Sequence, residues 1–453
     1  MDKVKFLLAT LFTFLLISPL SSQAQDSTNY QDWEKYDLTY RTYRITLLPG
    51  LSTNGIDAVD YVAKYSFNLL GGYHGALHEG FELGTLINAN KYYASGVQIA
   101  GIGNYSGDNT LGVQIAGIGN YSGNSMQGVQ VSGIGNWASS DIQGVQLGGV
   151  FNLSGGNIEG LQSAGVFNVA RNDIQGLQFS GILNLSGDSI EGMQYAGAFN
   201  IAKNDIQGLL VSGVGNISGG NIQGLLVSGF ANIARQDMQG IITSGGINYA
   251  KTFQGISLSS VNISQDFQGI QLGLANIVDE GQGIQAGLIN YGNEFEGIPV
   301  GLISYYRDGR QNLDFWTTET GFTNIGIKLG TEQVYNMLSV GFNPLLNRDV
   351  WQVGWSIGKL REYENHDLYS DFSYFKINEG SWTKDLNSIL KYRLLFGKEV
   401  NEDFKFYSGP TLNMLISRLQ GSDDYAPYRL FDIKAKGRQY VFWIGATLGI
   451  ELF

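Results

Sequence analysis

The sequence predicts an all-β protein: a Gly-rich array of 14–16-residue repeats, read best as a parallel β-solenoid, followed by a C-terminal antiparallel barrel-like β domain. Three observations predict it. Asparagine recurs every sixteen residues at Asn88, Asn104, Asn120, Asn136, Asn152, Asn168, Asn184, Asn200, Asn216, Asn232 and Asn248, then every fourteen at Asn262, Asn276 and Asn290. Glycine supplies 63 of 453 residues, about twice its usual share, and no proline lies between Pro49 and Pro299 to remove a ladder donor. The chain closes on a strand with one apolar face, Tyr440, Phe442, Ile444, Ala446, Leu448, Ile450 and Leu452, and ends at Phe453.

At the start, Lys3 and Lys5, the apolar residues 6–17 and the small-residue site Ser22-Gln23-Ala24 predict a signal peptide over residues 1–24, and hence export. The apolar run is too short to span a bilayer as a helix. Residues 25–79 read as a leader with the first strands, at 42–51 and 65–73. Cysteine is absent, so neither a disulfide framework nor a lipid-modified N-terminal cysteine is available. A formal charge of −12 with no basic stripe excludes nucleic acid as a partner. No later segment has the length and apolarity of a membrane helix, so a membrane span would have to be a β-barrel.

The array, placed at 80–310, has as its unit G-V-Q-I-A-G-I-G-N-Y-S-G-D-N-T-L over residues 96–111. This much Gly, Asn and β-branched residue without a 3.6 period excludes helix. Glutamine repeats with asparagine, at Gln98, Gln114, Gln130, Gln146, Gln162 and Gln178. A constant single-unit period places Asn over Asn and Gln over Gln when neighbouring strands run parallel, about 4.8 Å apart, so that side-chain amides form ladders. In the fourteen-residue units one residue is lost between Gln271 and Asn276; in a continuous strand that would turn Asn276 to the other face, whereas a coil corner absorbs it. The turns alternate with a period of thirty-two, because Arg171, Lys203 and Arg235 are interleaved with Gly155, Gly187 and Gly219, which separates like charges. A hairpin repeat would produce the same alternation. The alternative is therefore one large transmembrane β-barrel whose successive strands are the repeats, with Gln and Asn lining the lumen of a porin or transporter.

Pro299 replaces the repeated Gln and marks the end of the stack. The C-terminal domain, 311–453, carries about eight strand-like stretches, among them 335–345, 350–359, 367–377, 386–395, 404–416 and 440–453. Its last strand resembles the end of bacterial outer-membrane barrels, with Tyr440, Phe442 and Phe453 as the residues an assembly machinery would read. Phe453 is out of phase with the apolar face, and Glu451 stands where that pattern is apolar. An ordinary core strand is the competing reading.

The units Gly269-Ile270-Gln271-Leu272-Gly273-Leu274-Ala275-Asn276 and Gly283-Ile284-Gln285-Ala286-Gly287-Leu288-Ile289-Asn290 resemble a family of bacterial cell-envelope surface-repeat proteins built on G-[IV]-Q-x-G-L-x-N. The likeness covers roughly residues 60–330. It implies the cell envelope and no enzyme activity. The fourteen-residue period also resembles the head β-rolls of trimeric autotransporter adhesins, although no coiled-coil stalk follows.

No residue pattern points to catalysis, a cofactor or a metal. Gly101-x-Gly103-x-x-x-Gly107 lacks the helix a phosphate loop requires. Asp173, Asp188, Asp205, Asp237 and Asp266 read as solvated turn acids, since the calcium β-roll nonapeptide is absent. His74 and His78 beside Glu79 read as exposed turn residues. Glu159 and Glu191 are separated by Gln175, a poor arrangement for paired-acid glycan hydrolysis. Trp316, Trp351, Trp355, Tyr369, Tyr374 and Trp382 offer aromatic surface to a glycan, a core or a membrane belt. The expected protein is a non-enzymatic cell-envelope component at the outer membrane or cell surface, structural or adhesive, with a surface glycan or protein as ligand.

Overall fold

The computed structural model describes residues 32–401, 403–418 and 425–453; the signal-peptide segment lies outside these residues. Among them no helix is long and apolar enough to cross a membrane. The repeats form a parallel solenoid, and equivalent residues pair in register: Asn104 with Asn120, Asn120 with Asn136, Gln130 with Gln146, Gln146 with Gln162. A large barrel made from the repeats is excluded by this parallel pairing.

Each sixteen-residue coil holds a seven-residue strand such as Ile142–Gly148, a two-residue corner, a four-residue strand such as Phe151–Ser154, and a polar turn. Within the longer strand the backbone bends at its glycine. Met126 points in and Gln127 out, then Val129 points out and Gln130 in, so the alternation resets across Gly128 and the coil has three sides. These glycines, from Gly96 to Gly297, have φ between +120° and +152°, and a Cβ on any of them would lie 1.9–2.1 Å from the carbonyl oxygen of the glycine one coil earlier. Only glycine fits this column.

The change from sixteen to fourteen residues removes one residue at each of two corners. Between Thr243 and Ile247 there are three residues and between Leu258 and Val261 two; between Ile233 and Asp237 three, and between Tyr249 and Thr252 two. Register is preserved on every side. The turn alternation is also a packing device: Gly187 stacks on Arg171, where a Cβ would sit 2.0 Å from the Arg171 carbonyl oxygen, and Gly219 stacks likewise on Lys203.

The stack begins earlier than residue 80. Strand Thr39–Leu48 pairs in parallel with Tyr61–Asn68, which pairs with Ala76–Gly84 and so with the array. The stretches read as 42–51 and 65–73 are each broken by a turn, giving Thr39–Leu48 with Leu51–Ser52 and Tyr61–Asn68 with Gly71–His74. Residues 39–79, expected as part of a leader with the first strands, carry those strands within the stack. They are the first coils, with irregular lengths that hide the period.

After Tyr306 the pairing becomes antiparallel. Strands Arg310–Thr318, Thr323–Gly330, Val334–Phe342, Val350–Tyr363, His366–Glu379, Asn387–Asn401, Phe404–Ser417 and Arg438–Leu452 pair in order, and Arg438–Leu452 pairs back on Arg310–Thr318 to close a barrel. The strand Phe431–Ala435 pairs with residues 438–442, beyond the reach of the shorter first strand, which pairs with residues 447–452.

Candidate functional site

The two amide ladders fill the solenoid interior. Each Asn uses both amide hydrogens: Asn168 Nδ2 donates to Asn184 Oδ1 at 3.0 Å in the next coil and to the Phe179 carbonyl at 2.8 Å. The same pair of bonds recurs from Asn88 to Asn232, and Asn248, Asn262 and Asn276 continue the column to Asn290. The Gln ladder points the other way, with Gln114 Nε2 donating to Gln98 Oε1 and Gln130 to Gln114, through Gln178 and Gln194. Asn104, Asn120 and Asn152, each followed two residues on by serine in the pattern of a glycan acceptor, are buried and so closed to that modification.

The Gln ladder ends on a charge. Gln98 Nε2 donates at 2.8 Å to Glu82 Oε2, and Glu82 occupies the Gln position one coil earlier. A carboxylate only accepts, so it fixes the direction of every amide behind it. Glu82 is wholly buried and also takes bonds from Arg44, Ser66, Asn68 and Asn90. Asn68 fills the ladder position opposite Gly72, where a Cβ would lie 2.2 Å from Asn68 Oδ1, and donates to Asn88. Arg44, pulled down to about 10 by burial against the opposing pull of Glu82, remains a cation at neutral pH. This cluster was missed in the sequence, although Glu82 lies sixteen residues before Gln98.

His74 and His78 are not in an exposed turn. His74 ends a strand, is fully buried, and faces Asn68 Oδ1 at 3.0 Å and Glu82 Oε1 at 3.6 Å; His78 contacts the Tyr93 hydroxyl at 3.1 Å. Burial first, and the Arg44 charge second, hold the His74 imidazole well below its ordinary 6.5. The unfolded chain therefore binds a proton that the folded chain refuses. Stability contributed here is full above pH 6.5 and falls by up to about 1.4 kcal/mol per pH unit below it. Amides of Tyr61–Asn68 should exchange faster at about pH 5.5 than at pH 7.5 after correction for intrinsic rates, and a pH-independent protection factor would refute the assignment.

Column position sets the effect of mutation. Gln146→Leu should cost about 2–4 kcal/mol, because it leaves Gln162 Nε2 without an acceptor and Gln130 Oε1 without a donor. Gln194→Leu should cost less, about 0.5–1.5 kcal/mol: Gln178 Oε1 loses its donor, but the partnerless Gln194 Oε1 is removed with the amide and Leu210 already follows in the same column. Thermal unfolding of the two variants gives the comparison.

The turn acids act between coils. Asp173 Oδ1 accepts from the Ser189 amide at 3.0 Å and Asp205 Oδ1 from the Asn221 amide at 2.6 Å. Glu159 and Glu191 lie on the outer polar row and accept from Gln143 and Gln175. The six aromatics do not gather into one surface. Trp316 and Tyr369 point into the barrel, Trp355 and Tyr374 line its outer wall, and Trp351 packs on Trp382 at 5.9 Å near one rim.

The barrel carries an apolar outer wall around an interior of ion pairs and buried apolar side chains. Leu313, Phe315, Ile325, Ile327, Leu338, Val340, Phe372, Phe396, Phe406 and Leu412 point outward, as do Tyr440, Phe442, Ile444, Leu448, Ile450 and Leu452. The last strand is thus not a core strand with its apolar face inward. Glu451 belongs to the inner face, where Lys328 joins it and lies 2.9 Å from Asp314. Tyr369 donates to Glu451 at 3.1 Å and Tyr407 to Asp314 at 3.0 Å, and the Tyr335 and Tyr369 rings flank the Lys328 ammonium at 4.8 and 4.7 Å. Arg393 pairs with Asp371 at 2.7 Å above the Trp316 ring. Phe453 is exposed at the rim, with the Lys405 ammonium 5.2 Å from its ring.

Fold and site together define a class: a parallel β-solenoid with amide ladders beside an apolar column in its core, joined to a closed eight-stranded barrel with an apolar outer wall and an interior of ion pairs and buried apolar side chains. No known protein family, curated protein or solved structure matches the chain.

Proposed function

We propose that this is a non-enzymatic component of the bacterial outer membrane in which the C-terminal barrel spans the bilayer and the solenoid is a structural element held at that membrane. The observation that carries the reading is the polarity of the barrel. A barrel in water keeps its outer wall polar; here the outer wall is apolar, and the interior holds the ion-paired Lys328, Asp314, Glu451, Arg393 and Asp371 together with buried Met337, Phe375, Ile377 and Val441. Both ends of the barrel chain, Arg310 and Leu452, meet at the rim that carries the short turns 331–333 and 364–365. The opposite rim carries the longer connections 343–349 and 380–386, as in outer-membrane barrels with short inner turns and longer outer loops. The expected export signal is in keeping with the same location.

Tyrosines, Trp316, Trp443 and the ion pairs occupy the interior, so the barrel is an anchor and not a pore. The full chain, refolded into vesicles, should run as a heat-modifiable band, require detergent for extraction, and give no conductance steps in planar bilayers. Recovery as a detergent-free soluble protein would overturn the membrane reading, and stable conductance would overturn the anchor reading in favour of a channel.

A further inference from the structure

We infer that the solenoid lies along the membrane surface, with its apolar corner and the two flanking sides among lipid acyl chains and its polar turns in water. The inference rests on the barrel being the membrane span. Three observations carry it.

The first is the division of outward residues around each coil. The turn and the short first side present polar groups, among them Gln143, Glu159, Arg171 and Asp173. The other two sides and the corner between them present Leu147, Val150, Phe151, Ile182, Val214 and Phe230, with Ile182 and Phe230 more than half exposed. The rows repeat along the whole stack, an apolar area far beyond the few hundred Å² that a soluble monomer exposes. The interior holds the amide ladders beside a buried apolar column, Met126, Ile142, Ile158 and Ile174 among its members, so the hydrocarbon on the outer sides is apolar surface in excess of the core, as on the barrel wall.

The second is the join. The barrel wall closes the open end of the stack, with Asn336 standing where the next coil would place its ladder residue. The Gly301 amide donates to Asn336 Oδ1 at 3.1 Å, and Asn336 Nδ2 donates to Ser304 Oγ at 3.1 Å, just as Asn290 does from the other side. The axis of the stack therefore runs into the outer wall of the barrel from the side. With the barrel axis along the membrane normal, the solenoid axis lies in the membrane plane.

The third is height. The polar edge of the last coil sits at the short-turn rim, where Thr331 Oγ1 donates to the Gly297 carbonyl at 3.4 Å and Gln311 Nε2 to the Arg307 carbonyl at 3.3 Å. The apolar corner is higher on the wall: Trp355 Nε1 donates to the Gly301 carbonyl at 2.7 Å, and Trp355 pairs with Leu338, four residues in from Val334. The corner thus points toward the barrel's apolar mid-height and the charged turns toward water. A four-residue side is about 13 Å long, close to the ~15 Å depth of half a bilayer core.

The absence of cysteine allows single-cysteine labelling of the full chain. Val150→Cys and Val214→Cys report the corner, Glu159→Cys the polar row and Leu412→Cys the barrel wall. Each is labelled with bimane and reconstituted in phosphatidylcholine vesicles with acyl chains brominated at mid-depth. Quenching at the corner positions and at Leu412→Cys should exceed that at Glu159→Cys at least twofold. Strong quenching at Leu412→Cys with none at the corner overturns the inference and leaves the barrel reading intact; excimer formation between pyrene-labelled corner positions would then identify a second copy as the occupant. Quenching at none of the positions overturns the membrane span itself.

Discussion

Gly176→Ala, representative of its column, should destabilise the solenoid by about 2–6 kcal/mol. Two terms add. The backbone at Gly176 has φ +140°, which costs a residue with a Cβ about 1–3 kcal/mol. The new Cβ would lie 2.0 Å from the Gly160 carbonyl oxygen, and overpacking against backbone costs about 1–3 kcal/mol more because no side chain can rotate away. The same substitution at Gly103, whose Cβ would lie 3.2 Å from the Gly119 carbonyl and whose column holds Ala231 in a later coil, should cost under about 1 kcal/mol. Since a stack is stabilised by its neighbouring interfaces, exchange should rise first in the coils on either side of residue 176. Equal stability of the two variants would refute the close-packed glycine column.

Lys328→Met should cost about 3–5 kcal/mol in barrel stability, read by urea unfolding in detergent micelles. The substitution keeps most of the volume but strands Asp314 and Glu451, both fully buried, without their shared cation. Adding Asp314→Asn and Glu451→Gln removes the uncompensated charge and should recover most of the loss. A triple variant as unstable as the single one would mean that Lys328 acts through packing on Tyr335 and Tyr369, not through its charge.

Much of the array was legible because a parallel stack writes itself into sequence. Asn120 must lie over Asn104 for the amides to bond, so the spacing of one residue type discloses direction, register and coil length together. The lost residue between Gln271 and Asn276 was legible for the same reason, since only a corner tolerates it. The start of the stack was not: Asn68 serves the ladder from an irregular distance of twenty residues, across Gly72. The ionic interior was equally hidden, because Lys328 and Glu451 are 123 residues apart and neither belongs to a repeat.

Periodicity and glycine content by themselves favoured the parallel solenoid and its amide ladders over a barrel of hairpins, because those features depend on like residues meeting like at a fixed spacing; Pro299 marks the last coil, which runs on to Tyr306. Alternation along the C-terminal strands determined that each has an apolar and a polar face. Which face turns inward was decided only by closure of the barrel, since alternation is the same read from either side. The tertiary structure alone brought Glu451 to Lys328 and set Asn336 against the last coil, contacts made by distant segments that leave no local pattern.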